Sequence, residues 1–267
     1  MHTADTLLAG PRNIIVLTHG WTGSSVFSGL LGQAGFWLGA ETVAKPDYDT
    51  HENADLVSHN NRLLSLLSPS LNHEHRFEPG DVQDIAARAR TLDLTPCREF
   101  VASCEARRPW VWKDPRLTWT IRVWAEVLDL QQTAFLVLTR DPLQAWVSAN
   151  QRRHIQSHRF TREYNGGITE SNLQFLEERQ LPYLKLSFED LLLQPEATLE
   201  RMNRAYGLAL TMQTLQAVCH IPLYRKSRRW TDVAHASLIY LKNYAERDGR
   251  GRRSPPALAN RGAMSGR

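Results

Sequence analysis

A chain of 267 residues, 42% hydrophobic and 22% charged, has the size and composition of one large α/β domain with a buried core, which excludes a disordered or fibrous protein. Its 32 Lys and Arg against 28 Asp and Glu leave a net charge of +4, too slight to require a nucleic-acid partner. Every apolar run falls well short of the ~20 residues that cross a bilayer, so no membrane span is expected.

The opening MHTADTLLAGPRN has no charged stretch leading into a long apolar one. Cys97, Cys104 and Cys219 are odd in number and have neither metal-ligand nor CxxC spacing. Both features lead to the expectation of a cytoplasmic protein with reduced, packed thiols. Residues 13–18 (NIIVLT) form a short β-branched run, followed by a turn-prone HGWTGSS and then by large apolar residues at helical spacing in VFSGLLGQAGFWLG. That order predicts strand, loop, helix.

Residues 51–67 are predicted helical, with Leu56, Leu63, Leu64 and Leu67 on one face, and 81–104 form a further helix interrupted near Pro96. A short strand is expected at 110–112, a helix at 117–128 and the clearest buried strand at 134–139 (AFLVLT). RDPLQAWVSANQRR then predicts a helix with Pro142 in its first turn. A strand at 182–186 and helices at 188–206 and 233–246 complete the pattern. From residue 247 the chain is rich in Gly, Pro, Arg and Ser, so a single domain 1–246 and a disordered basic tail 247–267 are expected. Strands alternating with helices imply a parallel sheet flanked by helices on both faces. Ligands of such sheets gather at the carboxyl ends of the strands, which singles out the loops 19–25, 113–116 and 140–148.

In the first loop, Gly20, Trp21, Thr22, Gly23, Ser24 and Ser25 stand between a buried strand and a helix start. Backbone N–H groups and small hydroxyls there suit a phosphate, although an N-cap with a tight turn favours the same residues. VLTHGWTGSS also looks like the His-Gly oxyanion loop of α/β-hydrolases, but no G-x-S-x-G nucleophile elbow occurs in the chain. Arg140, at a strand's carboxyl end, and Ser148, two helical turns on, can hold one phosphate together; a surface pair of Arg140 with Asp141 is the plainer reading. In Lys113-Asp114-Pro115-Arg116, the Asp and Arg fit a salt-bridged turn, and Lys113 fits contact with a transferring anionic group. His73 and His75 have no third ligand nearby in sequence, so no metal is expected. His154 and His158 are spaced to chelate or to meet an anionic acceptor, and equally to lie on a solvated face.

Taken together, G-x-T-G-S-S at a helix start, W-K-D-P-R, and L-x-R-D-P with a Ser eight residues after the Arg resemble the sulfotransferases. The likeness is greatest to the bacterial branch with a D-x-x-x-x-E-x-x-x-[IL]-x-x-x-N segment, here DYDTHENADLVSHN with Glu52 and Asn60, and it extends to LSFEDLLLQPEATLERMNRAYGL. It covers roughly residues 13–230. The resemblance implies a P-loop-like three-layer α/β sandwich using 3′-phosphoadenosine 5′-phosphosulfate (PAPS). It places the 5′-phosphosulfate on Trp21 to Ser25 and the 3′-phosphate on Arg140 and Ser148. A late basic loop containing Arg225 and Arg228 completes that subsite, and the acceptor is a small molecule or saccharide. Many relatives carry Arg or Lys where this chain has Trp21. Either a cation arrives from elsewhere, Lys113 or Lys45, or activity is weaker or different, and Trp21 is also suited to stack on nucleotide or acceptor. Glu52, with His51 second, is the expected general base, and a first-turn carboxylate facing the helix dipole is its plainer reading. The rivals are a P-loop kinase, whose G-x-x-x-x-G-K-[ST] is missing, and a catalytically inactive nucleotide-binding scaffold.

Overall fold

The computed structural model describes residues 12–45, 48–219 and 230–249. Among them the chain forms β1 (Asn13–Thr18), β2 (Thr42–Lys45), β3 (Tyr48–Asn53), β4 (Val111–Lys113), β5 (Thr133–Thr139) and β6 (Tyr183–Ser187). Four of these make a parallel sheet in the order β4-β1-β5-β6, and β2 and β3 pair separately as an antiparallel hairpin.

Alternation along each strand decides which side of the sheet a residue joins. In β1, Ile15 and Leu17 join one core, while Ile14 and Val16 join the other. In β5, Phe135 and Val137 part in the same way from Ala134, Leu136 and Leu138. All are buried, as continuous apolar runs of a parallel sheet must be. The chain is therefore a three-layer α/β sandwich, as expected. One layer holds α1 (Ser24–Gln33), and the other holds α2 (Ala54–Leu67), α3 (Pro79–Ala89), α4 (Thr95–Glu105) and α5 (Leu117–Trp124). After β5 come α6 (Pro142–Gln151) and α7 (His158–Glu178), and α7 joins the second layer. The helices α8 (Phe188–Leu193), α9 (Pro195–Tyr206) and α10 (Met212–Val218) return to the first, and α11 (Trp230–Lys242) covers α6 through Trp146, Val147 and Ala236.

The strand carrying Lys113 is fixed by tryptophans. Trp112 stacks on Trp110 at 4.6 Å and on Phe100 at 5.3 Å, and Trp124 meets it edge-on at 4.9 Å. All three tryptophans are fully buried, and truncating such a ring to alanine costs about 3–5 kcal/mol.

Several boundaries differ from expectation. The helix expected from residue 51 begins only at Ala54, where the Asn53 side chain accepts from the N–H groups of Asp55 and Leu56. His51 and Glu52 therefore lie on β3. The interruption expected near Pro96 is there, as a full break between α3 and α4 with Pro96 in the first turn of α4. Likewise 188–206 breaks before Pro195, with Gln194 driven out of helical geometry. The described fold also runs past residue 246, the boundary read from composition. Asp248 accepts from the Ser157 N–H at 2.9 Å and from its hydroxyl.

Candidate active site

The three loops singled out above do meet at the carboxyl edge of the sheet, around a cleft of about 1210 Å³. The first is built from inside. Thr22 is buried with its hydroxyl 2.5 Å from that of Thr18, so this side chain pins the loop to β1 rather than facing the cleft. Beneath it, His19 is also buried, its Nδ1–H donating to the Gly20 carbonyl at 2.7 Å. Burial lowers the pKa of His19 to about 4 and keeps the ring neutral. Trp21 and Gly23 both adopt left-handed backbone, with φ of 69° and 71°. A Cβ on Gly23 would stand 2.4 Å from the Phe188 ring, so only glycine lets α1 start this close to β6's following helix. Gly20, Trp21, Gly23, Ser24 and Ser25 line the cleft.

Arg140 closes the loop from the end of β5. Its Nη1 donates to the Trp21 carbonyl at 2.7 Å, and its guanidinium lies over Phe188 at 5.1 Å. Glu189, whose carboxylate accepts from the Asp141 N–H, is 3.7 Å from Arg140 Nε. Burial lowers the Arg140 pKa against the pull of Glu189. Among the described residues, Nε has no hydrogen-bond partner. Ser148 and Gln144 of α6 line the cleft beside it. A second cavity of about 630 Å³ opens behind Arg140, against His19 and α7 residues such as Arg162 and Thr169.

Glu52 and Lys113 meet at the cleft floor. Lys113 Nζ lies 2.7 Å from Glu52 Oε1 and 3.1 Å from the Thr50 carbonyl, with only 4% of the lysine side chain exposed. His51 has left-handed backbone, and its ring packs against Gly29 of α1, where a Cβ would come within 3.0 Å of Nε2. Burial lowers the His51 pKa, with Asp49 opposing. The neighbouring Asp114 and Arg116 form the expected turn, paired at 2.9 Å. Buried Asn60 holds it: Nδ2 donates to Asp114, and Oδ1 accepts from Thr120 and from the Trp124 indole, each at 2.8 Å.

The β2–β3 hairpin, which the sequence patterns did not predict, carries Lys45, one of the two cations expected to reach the loop from elsewhere. Lys45 Nζ stands 5.6 Å from the Trp21 ring centroid and 5.7 Å from that of Tyr48. Its sequence signal is the turn dipeptide Pro46-Asp47 between TVAK and YDT. The opposite wall, with His73, Glu74, His154 and Tyr164, comes from the two segments, 68–105 and 151–180, where the sequence offers only the histidine pairs His73/His75 and His154/His158. Arg225 and Arg228 lie outside the described residues.

No protein-family model matches the chain, and no curated protein does. Among solved structures, the chain is similar to the sulfotransferase domain from the curacin biosynthetic pathway, at a TM-score of 0.50, 16% identity and 77% coverage of each chain. Its fold is that of a sulfotransferase. The chain is also similar to two further solved structures. One is the sulfotransferase domain of the Synechococcus PCC 7002 olefin synthase (TM-score 0.46, 16% identity, 87% of this chain and 86% of that chain). The other is sulfotransferase STF9 from Mycobacterium avium (TM-score 0.43, 16% identity, 90% and 77%). Among the described residues of this sulfotransferase fold, no helix is long and apolar enough to cross a membrane.

Proposed function

We propose that the chain is a sulfotransferase that moves a sulfonyl group from PAPS to a hydroxyl of a small molecule or saccharide. Arg140 carries the reading: a buried guanidinium tied to the strand–loop–helix of β1 and opening on the same cleft as Ser24, Ser25 and Ser148. The residues fit a phosphorylated nucleotide. Among the described residues Arg140 Nε is a buried donor without a hydrogen-bond partner, Glu189 Oε1 standing 3.7 Å off. Two hydroxyls stand at the first turn of α1, and left-handed residues such as Trp21 and Gly23 are the kind of backbone from which anion-binding amide nests are built. Shared fold with a sulfotransferase domain supports the same conclusion.

PAPS supplies the sulfonyl group for an in-line displacement, so the protein's work is positioning and charge stabilisation. In this reading Arg140 and Ser148 hold the 3′-phosphate, with Arg225 and Arg228 completing that subsite, and the loop from Trp21 to Ser25 holds the 5′ end. Glu52 takes the acceptor's proton, His51 standing one residue away, and Lys113 balances the charge on Glu52. Lys45, above Trp21, brings from the hairpin the cation that the loop itself lacks, which favours an active enzyme over an inert nucleotide scaffold. A soluble cytoplasmic setting belongs to this reading.

Titration calorimetry with adenosine 3′,5′-bisphosphate tests it. Wild type binds in the micromolar range. Losing a charge-assisted hydrogen bond worth about 1.5–3 kcal/mol weakens Arg140→Ala by about 10- to 150-fold. Ser148→Glu sets a negative charge against the phosphate without disturbing the Arg140–Trp21 bond, and it should weaken binding as strongly. No binding by correctly folded wild type sinks the proposal.

A further inference from the structure

Three metal-competent side chains to which no role is assigned above meet at the opposite wall of the cleft, which Glu74 and His154 line. Glu74 and His75 precede α3, His154 follows α6, and their ligand atoms all lie within 4.8 Å of one another. We propose that Glu74, His75 and His154 form a binding site for a divalent first-row metal ion of the zinc class. His73-x-His75 shows no third donor nearby in sequence; the fold brings one from far along the chain. His73 itself turns edge-on to Trp119.

The chemistry and the reach both suit such an ion. Two imidazoles and a carboxylate are a zinc-type donor set, and three protein donors leave a fourth position open. Metal–ligand bonds of about 2.0–2.1 Å place tetrahedral donors about 3.3 Å apart. Glu74 Oε2 is already 3.7 Å from His154 Nε2, and the His75 and His154 rings lie 5.0 Å apart at 20°. Side-chain rotation closes the remainder, because the backbone is held in place. The Tyr164 hydroxyl donates to the His73 carbonyl, and the N–H groups of His75 and Arg76 both bond the Asn72 carbonyl. Arg153, in left-handed backbone at φ 63°, turns the chain so that the His154 N–H bonds the Ala149 carbonyl.

A supporting shell is also present. Metal-bound histidines engage their second nitrogen with a fixed polar group. Here His154 Nδ1 is 2.6 Å from the Gln156 amide, and the amide's other end is 3.1 Å from the Thr161 hydroxyl. Gln156 is buried, and its backbone carbonyl accepts from the Trp146 indole and the Asn150 amide. Metal binding requires the amide oxygen toward the ring, an orientation that the Thr161 hydroxyl also accommodates. With oxygen toward His154 it accepts Nδ1–H and donates to Thr161, leaving the Nε2 lone pair aimed at Glu74. The open position faces the cleft, where the Trp21 ring lies 5.9 Å from that of His154. Water or a ligand oxygen completes the ion there. The site does not depend on the nucleotide reading.

The test uses metal-free, untagged full-length protein titrated with Zn²⁺ by calorimetry and with Co²⁺ by visible absorption. One equivalent binds, and Co²⁺ shows the absorption of a low-coordinate site. Gln156→Ala weakens Zn²⁺ binding by about 10- to 100-fold, His154→Ala and Glu74→Gln by at least as much, and His235→Ala on α11 leaves it unchanged. Glu74 is exposed, so Glu74→Gln reads out the site even where His154→Ala perturbs folding. Zn²⁺ binding no tighter than millimolar, or stoichiometric binding unchanged in Glu74→Gln and His154→Ala, overturns the proposal.

Discussion

Two glycines three residues apart in the first loop should respond to a methyl group in opposite ways. At Gly23 the backbone is left-handed, φ 71°, and an added Cβ stands 2.4 Å from two atoms of the Phe188 ring. Holding alanine in that conformation costs about 1–2 kcal/mol, and forcing a methyl into the ring adds about 1–3 kcal/mol of overpacking. Gly23→Ala should thus lose about 2–5 kcal/mol, which at 2–4 °C per kcal/mol lowers Tm by about 4–20 °C. Gly20 has no atom within 4 Å of its built Cβ and is free of the positive-φ demand, so Gly20→Ala should melt with wild type. Thermal unfolding by circular dichroism measures both, and calorimetry with adenosine 3′,5′-bisphosphate on the same samples shows whether the displaced α1 start also loses the ligand. A Gly23→Ala protein melting within about 2 °C of wild type, or a Gly20→Ala protein falling as far, refutes the reasoning.

His19 makes stability depend on pH. The unfolded chain takes up a proton near 6.5 that the folded ring refuses until about 4. Stability is therefore full above 6.5 and lost as pH falls toward 4, by about 3 kcal/mol. His51, His59 and His73 are shifted in the same direction by burial. Urea unfolding at stepped pH should show that slope, and His19→Gln should reduce it; an unchanged slope would count against a buried neutral His19. For the cleft floor, Lys113→Met strands Glu52 and should cost about 3–5 kcal/mol. The double variant with Glu52→Gln should regain much of that loss, and simple additivity in urea midpoints would show the pair to be uncoupled.

The strands at 13–18 and 134–139 were legible because both faces of each are buried, which leaves an uninterrupted apolar run. The loops that follow them were legible for the same reason, since strand ends mark where ligands gather. Other parts rest on contacts the chain makes far from home. Gly166-Gly167 in the middle of α7 argues against a helix on propensity, yet a Cβ on Gly167 would meet the Phe77 ring at 2.7 Å. The glycine is there for that ring. Glu189 reads as a first-turn acid of α8 and only in three dimensions joins Asp141 and Arg140. Asn60, in sequence only one position of the pattern that holds Glu52, is in the fold the buried post that bonds Asp114, Thr120 and Trp124.

The bond from Arg140 to the Trp21 carbonyl has a consequence for selectivity. It joins the turn after β1 to the turn after β5, two strands already locked in register from Asn13–Thr133 to Thr18–Leu138. The two turns cannot slide apart or tilt independently, so under the proposed nucleotide reading the interval between the two phosphates is set by the scaffold, as on a ruler. A ligand whose charged groups sit at another spacing gains at one end only what it forfeits at the other. Discrimination then falls on the distance between charges, and less on which base stands between them.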